Sequence, residues 1–279
     1  MAVSEQLKAL VDQMPNPDAR GMFTENIDKE KIEKAIAAIH AGGRDSVRGL
    51  VEMLGEPGSD QDLKPHYALH VLANHTVIAH DEDGRRTLCE VLAEALSGNS
   101  TPYVKAFLCQ TLQWFGHRES VAALGKLLTD DDLCDPAAMA LVGIGDGAAE
   151  PLRSALPAAK GRCRLTVIHS LAVLADTGAA EAFKQALSDE NREVRLAAGA
   201  GLAKLGEVGA VELLIKAAEL EPGWERIQAT KHCLALAERL TASGKKSEAK
   251  RIYQHLRDTR QGAFEKYIRE AAESVLATL

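Results

Sequence analysis

The chain has 279 residues, of which 46% are hydrophobic and only 4% aromatic, and its formal net charge is −7. Up to position 220 it carries 22 basic against 32 acidic residues, and beyond it 11 against 8, so the body lacks the basic stripe that a phosphate backbone requires. No basic n-region with an apolar h-region opens the sequence and no apolar run approaches about 18 residues, so a cytoplasmic chain with no membrane partner is expected.

In chain order, residues 4–12 predict a short amphipathic helix, followed by a Pro/Asn/Gly-rich loop to about 27. This atypical opening, 1–27, is what a capping segment looks like. A first hairpin is expected from helices near 29–41 and 46–54, split by Gly42-Gly43, and a second from 62–78 and 84–97, split at Asp81-Glu82-Asp83-Gly84. Thr101-Pro102 and Asp135-Pro136 open the third and fourth, each a cap residue followed by proline where its missing N–H costs nothing. The fifth and sixth begin near Arg162 and Asn191, with second helices of about ten residues at 179–187 and 210–220. A longer seventh spans 224–241 and 246–257, and a final helix near 263–278 closes the stack.

These hairpins echo one another. Leu112-Gln113-Trp114-Phe115-Gly116, Leu141-Val142-Gly143-Ile144-Gly145, Leu171-Ala172-Val173-Leu174-Ala175 and Leu202-Ala203-Lys204-Leu205-Gly206 place turn positions 116, 145, 175 and 206 at steps of 29, 30 and 31 residues. A period of this length marks one supersecondary unit stacked repeatedly. Glycine at the turn can enter the left-handed region that closes a helix. The expected fold is therefore all-α, a right-handed α-solenoid (α-α superhelix) of about seven helical hairpins, with the array over 28–220 and a capping end over 221–279.

Asp189, Val194-Arg195, Ala197-Ala198, Leu205-Gly206, Ala210 and Leu213 give the clearest copy. With them the chain resembles HEAT-like repeats, in particular the short type named after phycobilisome lyase subunits, well over about 100–220 and loosely before. Residues 230–256, with Ala235-Leu236-Ala237-Glu238, Gly244 and Ser247-Glu248-Ala249, are similar to a tetratricopeptide pair. Both resemblances imply a curved helical array that binds partners, usually on its concave face. The first also allows a bilin lyase or chaperone-like subunit, and a HEAT-like DNA glycosylase is a further alternative that the acidic body disfavours.

Motifs for chemistry are sparse. Gly143-Ile144-Gly145-Asp146-Gly147-Ala148 fits the pattern that cradles a pyrophosphate, but it lacks a preceding strand and an acidic partner, and Gly145 is in register with Gly116 and Gly206. It is a repeat turn, and no cofactor is expected. Asp62, His66 and His70 step by four residues and fall within about 80° on a helix, so His66 and His70 are a weak metal candidate, predicted exposed, with His75 buried. The five cysteines, odd in number and without a CxxC pair, are expected to be free thiols. Trp114 and Trp224, at helical spacing, are expected in the core. No elbow, zincin or P-loop motif occurs, so no catalytic residue is assigned.

A charge ladder stands out on the second helices. Glu150, Glu181 and Glu212 recur at 31-residue steps, each followed three or four residues on by Arg153, Lys184 and Lys216. Within a helix such pairs contribute roughly 0.2–0.5 kcal/mol each. Stacked, they form a mixed-charge surface that can fix the register of a protein partner. A monomeric, non-catalytic scaffold for a protein partner is the expectation. In the tail, Lys245, Lys246, Lys250, Arg251, Arg257 and Arg260 cluster about an amphipathic helix expected to dock as the last repeat.

Overall fold

The structure is a computed structural model that describes residues 3–18, 22–23, 27–55 and 62–279. Residues 1–2 of the expected capping segment, and 19–21 and 24–26 of its loop, lie outside the described residues. Among the described residues there is no strand, and sixteen α-helices follow one another. They are α1 (Glu5–Val11), α2 (Lys29–Ala41), α3 (Gly43–Glu52), α4 (Leu63–Ile78), α5 (Glu82–Ser97), α6 (Pro102–Phe115), α7 (Val121–Gly125), α8 (Cys134–Ile144) and α9 (Ala149–Ala155). There follow α10 (Gly161–Val173), α11 (Ala180–Ala186), α12 (Arg192–Leu205), α13 (Val211–Ala217), α14 (Trp224–Ala242), α15 (Lys246–Thr259) and α16 (Lys266–Leu276).

The chain divides into two compact units, Met1–Ala155 and Leu156–Leu279. Unit 1 holds α1 and the hairpins α2/α3, α4/α5, α6/α7 and α8/α9, and unit 2 holds α10/α11, α12/α13, α14/α15 and the closing α16. The helix starts follow from short polar side chains. Ser4, Asp28, Asp81, Thr101 and Asn191 each accept a bond from a first-turn backbone N–H, and Pro102 occupies the first helical position behind Thr101. Asp135 does not cap α8. The helix starts one residue earlier at Cys134, and Asp130 takes the local N–H groups of Asp132 and Leu133. The second helices α9, α11 and α13 have seven residues each rather than about ten, because a 3-10 turn takes up the approach to α11 and α13.

The repeating leucine is the pivot of each unit. Leu112, Leu141, Leu171 and Leu202 are fully buried, four residues before the turn. The turn itself varies. Gly145 and Gly206 have φ of 71° and 72°, and Ala175 enters the same region at 52° despite its Cβ. Gly116 instead stays at φ −52°, with its N–H donating to the Leu112 carbonyl at 2.8 Å. Its own carbonyl, with that of Phe115, accepts from the Arg85 guanidinium at 3.0 and 2.6 Å, so a side chain from the preceding hairpin closes α6.

Helices of neighbouring hairpins approach closely where side chains are small. A Cβ on Gly143 of α8 would lie 2.5 Å from the Gln113 carbonyl oxygen of α6, and one on Gly201 of α12 would meet the Phe183 ring of α11 at 2.8 Å. In unit 2 a row of arginines sets the stacking. Arg164, Arg195 and Arg226, at steps of 31 residues, reach Asp189, Glu225 and Glu265 at 2.7, 2.5 and 2.7 Å. Arg195 also donates to the Asp189 carbonyl at 2.9 Å, and Arg226 to the Leu220 carbonyl at 2.8 Å, in both cases six residues back. Arg195 and Arg226 thus tie their own entering loops to the start of a later element, with charge-assisted bonds roughly twice as strong as neutral ones.

Burial alone would raise the Glu265 carboxyl, but its bonds from Arg226 outweigh that and hold it below the ordinary carboxylate value, and Asp189 is held down in the same way by Arg164. A depressed folded value means that the clamps contribute stability above about pH 4 and lose it as pH falls further. Replacing Arg226 with Ala should lower the stability of α16 by about 2 kcal/mol. Hydrogen exchange is expected to show loss of protection over 266–276 with α10 and α12 unchanged, whereas Lys34→Ala, which removes an exposed ion pair with Glu30, should leave protection intact.

Candidate partner-binding surface

On a helix, a residue two positions after a buried one points about 200° away from it. The buried leucine row therefore sends the position two residues before each turn outward. Trp114, Val173 and Lys204 occupy it and all are exposed, Trp114 at 78%. On α4 the corresponding residue is Ile78, two residues after the buried Thr76 and two before His80, whose φ of 53° closes that helix, and it is 79% exposed. On α8 the same position is Gly143, and the residue one turn earlier on that face, Met139, is 53% exposed. Unit 1 thus carries an apolar ridge across α4, α6 and α8, flanked one turn back by the amides of Asn74 and Gln110. Because Gly143 has no side chain, nothing on α8 at that level covers the Trp114 indole.

The core placement expected for the two tryptophans does not hold. Trp114 lies on the outward face, and Trp224, 49% exposed at the first position of α14, has the Arg192 guanidinium 4.9 Å above its ring. The leucine phrase fixes the helix rotation and with it the outward position, whereas apolar character alone does not decide burial.

The histidine pair is also rearranged. His66 is not exposed: its Nδ1 lies 2.9 Å from the buried Asp62 carboxylate, and its ring packs edge-on against Phe107 at 4.1 Å. Burial lowers its pKa, so the ring is held neutral against the pull of Asp62. Tyr103 donates to the same carboxylate at 3.3 Å, and the Gly55 N–H at 2.7 Å. His70 is exposed, with Nε2 at 3.1 Å from the Asn74 amide. His75 is only half-buried, its ring 5.5 Å from that of His40. Helix α4 packs against α6 as well as α2, α3 and α5, so its covered arc is wider than one apolar stripe and takes in His66. Among the described residues no group of three His, Cys, Asp or Glu side chains is placed to hold a metal.

The charge ladder is present but rewired. Lys184 bridges Glu181 at 2.8 Å and Glu207 at 3.2 Å. Glu212 turns away from Lys216 to a two-bond pair with Arg251 of α15, and Glu150 accepts from Ser154. Arg153 has its own partner. The five cysteines are free and buried, and burial pushes Cys89 up to about 11 and Cys109 and Cys233 up to about 12. No described helix is long and apolar enough to cross a membrane.

Residues 149–235 match the family model for HEAT repeats. Similar solved structures include a chain from work on the phosphorylation switch that controls the interaction between cadherin and beta-catenin, 13% identical over 93% of this chain and 65% of that one, with a TM-score of 0.38. An archaeal HEAT-like repeats protein from Thermococcus onnurineus NA1 is 15% identical over 99% and 98%, with a TM-score of 0.35. A designed armadillo repeat protein in complex with the peptide (KR)4 is 18% identical over 98% and 100%, with a TM-score of 0.29. The chain spans 65% of the length of the first of these. No curated protein matches it.

Removing one tryptophan at a time tests the placement. In a Trp224→Phe chain the remaining Trp114 should emit at the long wavelength of a hydrated indole and be quenched freely by acrylamide; a blue-shifted, protected emission would return it to the core.

Proposed function

We propose that the chain is a non-catalytic scaffold that holds a polypeptide partner against the exposed face of its first helices. The observation that carries this reading is the ridge of Ile78, Trp114 and Met139 on the first helices of three successive hairpins, α4, α6 and α8. Large apolar side chains aligned on a surface, with an uncovered indole among them, are the composition of an interface hot spot rather than of a solvated face. The flanking Asn74 and Gln110 amides offer donors and acceptors suited to a peptide main chain.

The mixed-charge residues Glu150, Arg153, Glu181, Lys184, Glu212 and Lys216 act in this reading at the rim. Their charges are largely engaged within the chain, so they tune association rate and register more than affinity. Unit 1 carries 24 acidic against 14 basic residues, which repels a phosphate backbone and favours a protein partner.

Affinity capture with the wild-type chain and variants tests this. A polypeptide retained by the wild type should be bound at least tenfold more weakly by Trp114→Ala, and severalfold more weakly by the double reversal Glu181→Lys, Lys184→Glu, with far-UV circular dichroism unchanged in both. Equal retention by Trp114→Ala would remove the ridge from the proposal, and equal retention by the reversal would remove the ladder.

A further inference from the structure

Unit 2 contains a cup of about 100 Å³ between α12, α13 and α14. Its wall is apolar where Leu196, Leu214, Ala217 and Ala229 contribute. One side is formed by His232, which leans over Gly199 so closely that a Cβ there would lie 2.7 Å from its Nδ1. Burial lowers His232 to about 4, so at neutral pH the ring is an uncharged donor and acceptor. The remaining side is the Arg195–Glu225 clamp. Both guanidinium bonds fall on Glu225 Oε1, at 2.9 and 2.5 Å, so Oε2 of this partly exposed lining residue is not used by the clamp.

Three features select an occupant. The volume is well below the ~300 Å³ at which cofactor and drug-sized sites begin, and it suits one branched four-carbon group. An apolar wall of this kind gains from filling by such a group, as dry cavities do. The spare carboxylate oxygen already has its charge balanced by Arg195, so it favours a neutral N–H over an ammonium.

We propose that this cup is an anchor site of unit 2 in its own right, taking a leucine-sized aliphatic side chain of a polypeptide while the adjoining main-chain N–H donates to Glu225 Oε2. It rests on the protein-binding reading above, but it lies in unit 2 and is tested without the ridge.

The test is a titration of the full chain, followed by the NMR signals of the His232 ring and the Gly199 amide. N-acetyl-leucinamide should shift both and bind roughly tenfold or more tightly than N-acetyl-alaninamide, whose methyl leaves the cup unfilled. Isobutanol, which fills the cup but has no amide, should bind more weakly than N-acetyl-leucinamide. Ala229→Met and Ala217→Val fill the cup from opposite walls, and whichever keeps native helicity should lose the response. No response at millimolar N-acetyl-leucinamide, an undiminished response in a filled variant, or isobutanol binding as well as the amide would each overturn the proposal. A Trp114→Ala chain that loses its partner but keeps this titration separates failure at the ridge from failure at the cup.

Discussion

The arginine that crosses from one repeat to the next is the interaction on which the stacking in unit 2 depends. A hairpin of two short helices cannot bury its apolar sides alone, so its stability comes from neighbours. Apolar contact is non-directional and tolerates sliding. Arg164, Arg195 and Arg226 supply the direction: each guanidinium is planar and half-buried and has a carboxylate fixed at the start of a later element. The final link is the most enclosed. Arg260 is buried, bonded to the Ala218 carbonyl and to Thr230, with Glu265 shared between it and Arg226. This network docks α16, whose Ile268 and Ala272 close the apolar face.

Unit 1 reaches the same end with different chemistry. There Arg85 caps α6 across the repeat, His40 meets Asp81 at 2.8 Å, and Arg44 and Arg48 converge on Glu94. Close backbone approach, as at Gly143 over Gln113, replaces part of what the arginine row does in unit 2. Locking the first helices side by side fixes which residues face outward, and that is the physical source of the ridge. The same packing that buries Leu112 and Leu141 leaves Trp114 and Met139 in solvent.

Much of this was legible in the sequence, and the parts that were not share a cause. Helix starts were readable because Ser4, Asp28, Asp81, Thr101 and Asn191 act on their own first turns. Four of the seven hairpins were readable from the leucine phrase, and the others from breaks such as Gly42-Gly43 and Asp81-Glu82-Asp83-Gly84. The clamps were not, because Arg195 and Glu225 are thirty residues apart and nothing local pairs them, although the 31-residue recurrence of arginine was a usable signal. Glu212 found Arg251 rather than Lys216 for the same reason: its two-bond partner lies thirty-nine residues on, in α15, where no local pattern pairs them. Trp114 and His66 depart from expectation in opposite senses, one exposed and the other covered, since hydrophobicity gives a residue's preference whereas the neighbours of α4 and α6 decide what is covered. Ala175 shows that a repeat turn can impose a left-handed backbone even where glycine is absent.

The central claim is that the outward row of the first helices is where a polypeptide is held. A photo-crosslinking amino acid placed in turn at positions 78, 114 and 139, and at Lys34 as an exposed control, tests it most directly. The account predicts adducts of one and the same polypeptide from the three ridge positions and none from position 34. Adducts confined to the charged second helices, or equal labelling at position 34, would contradict it.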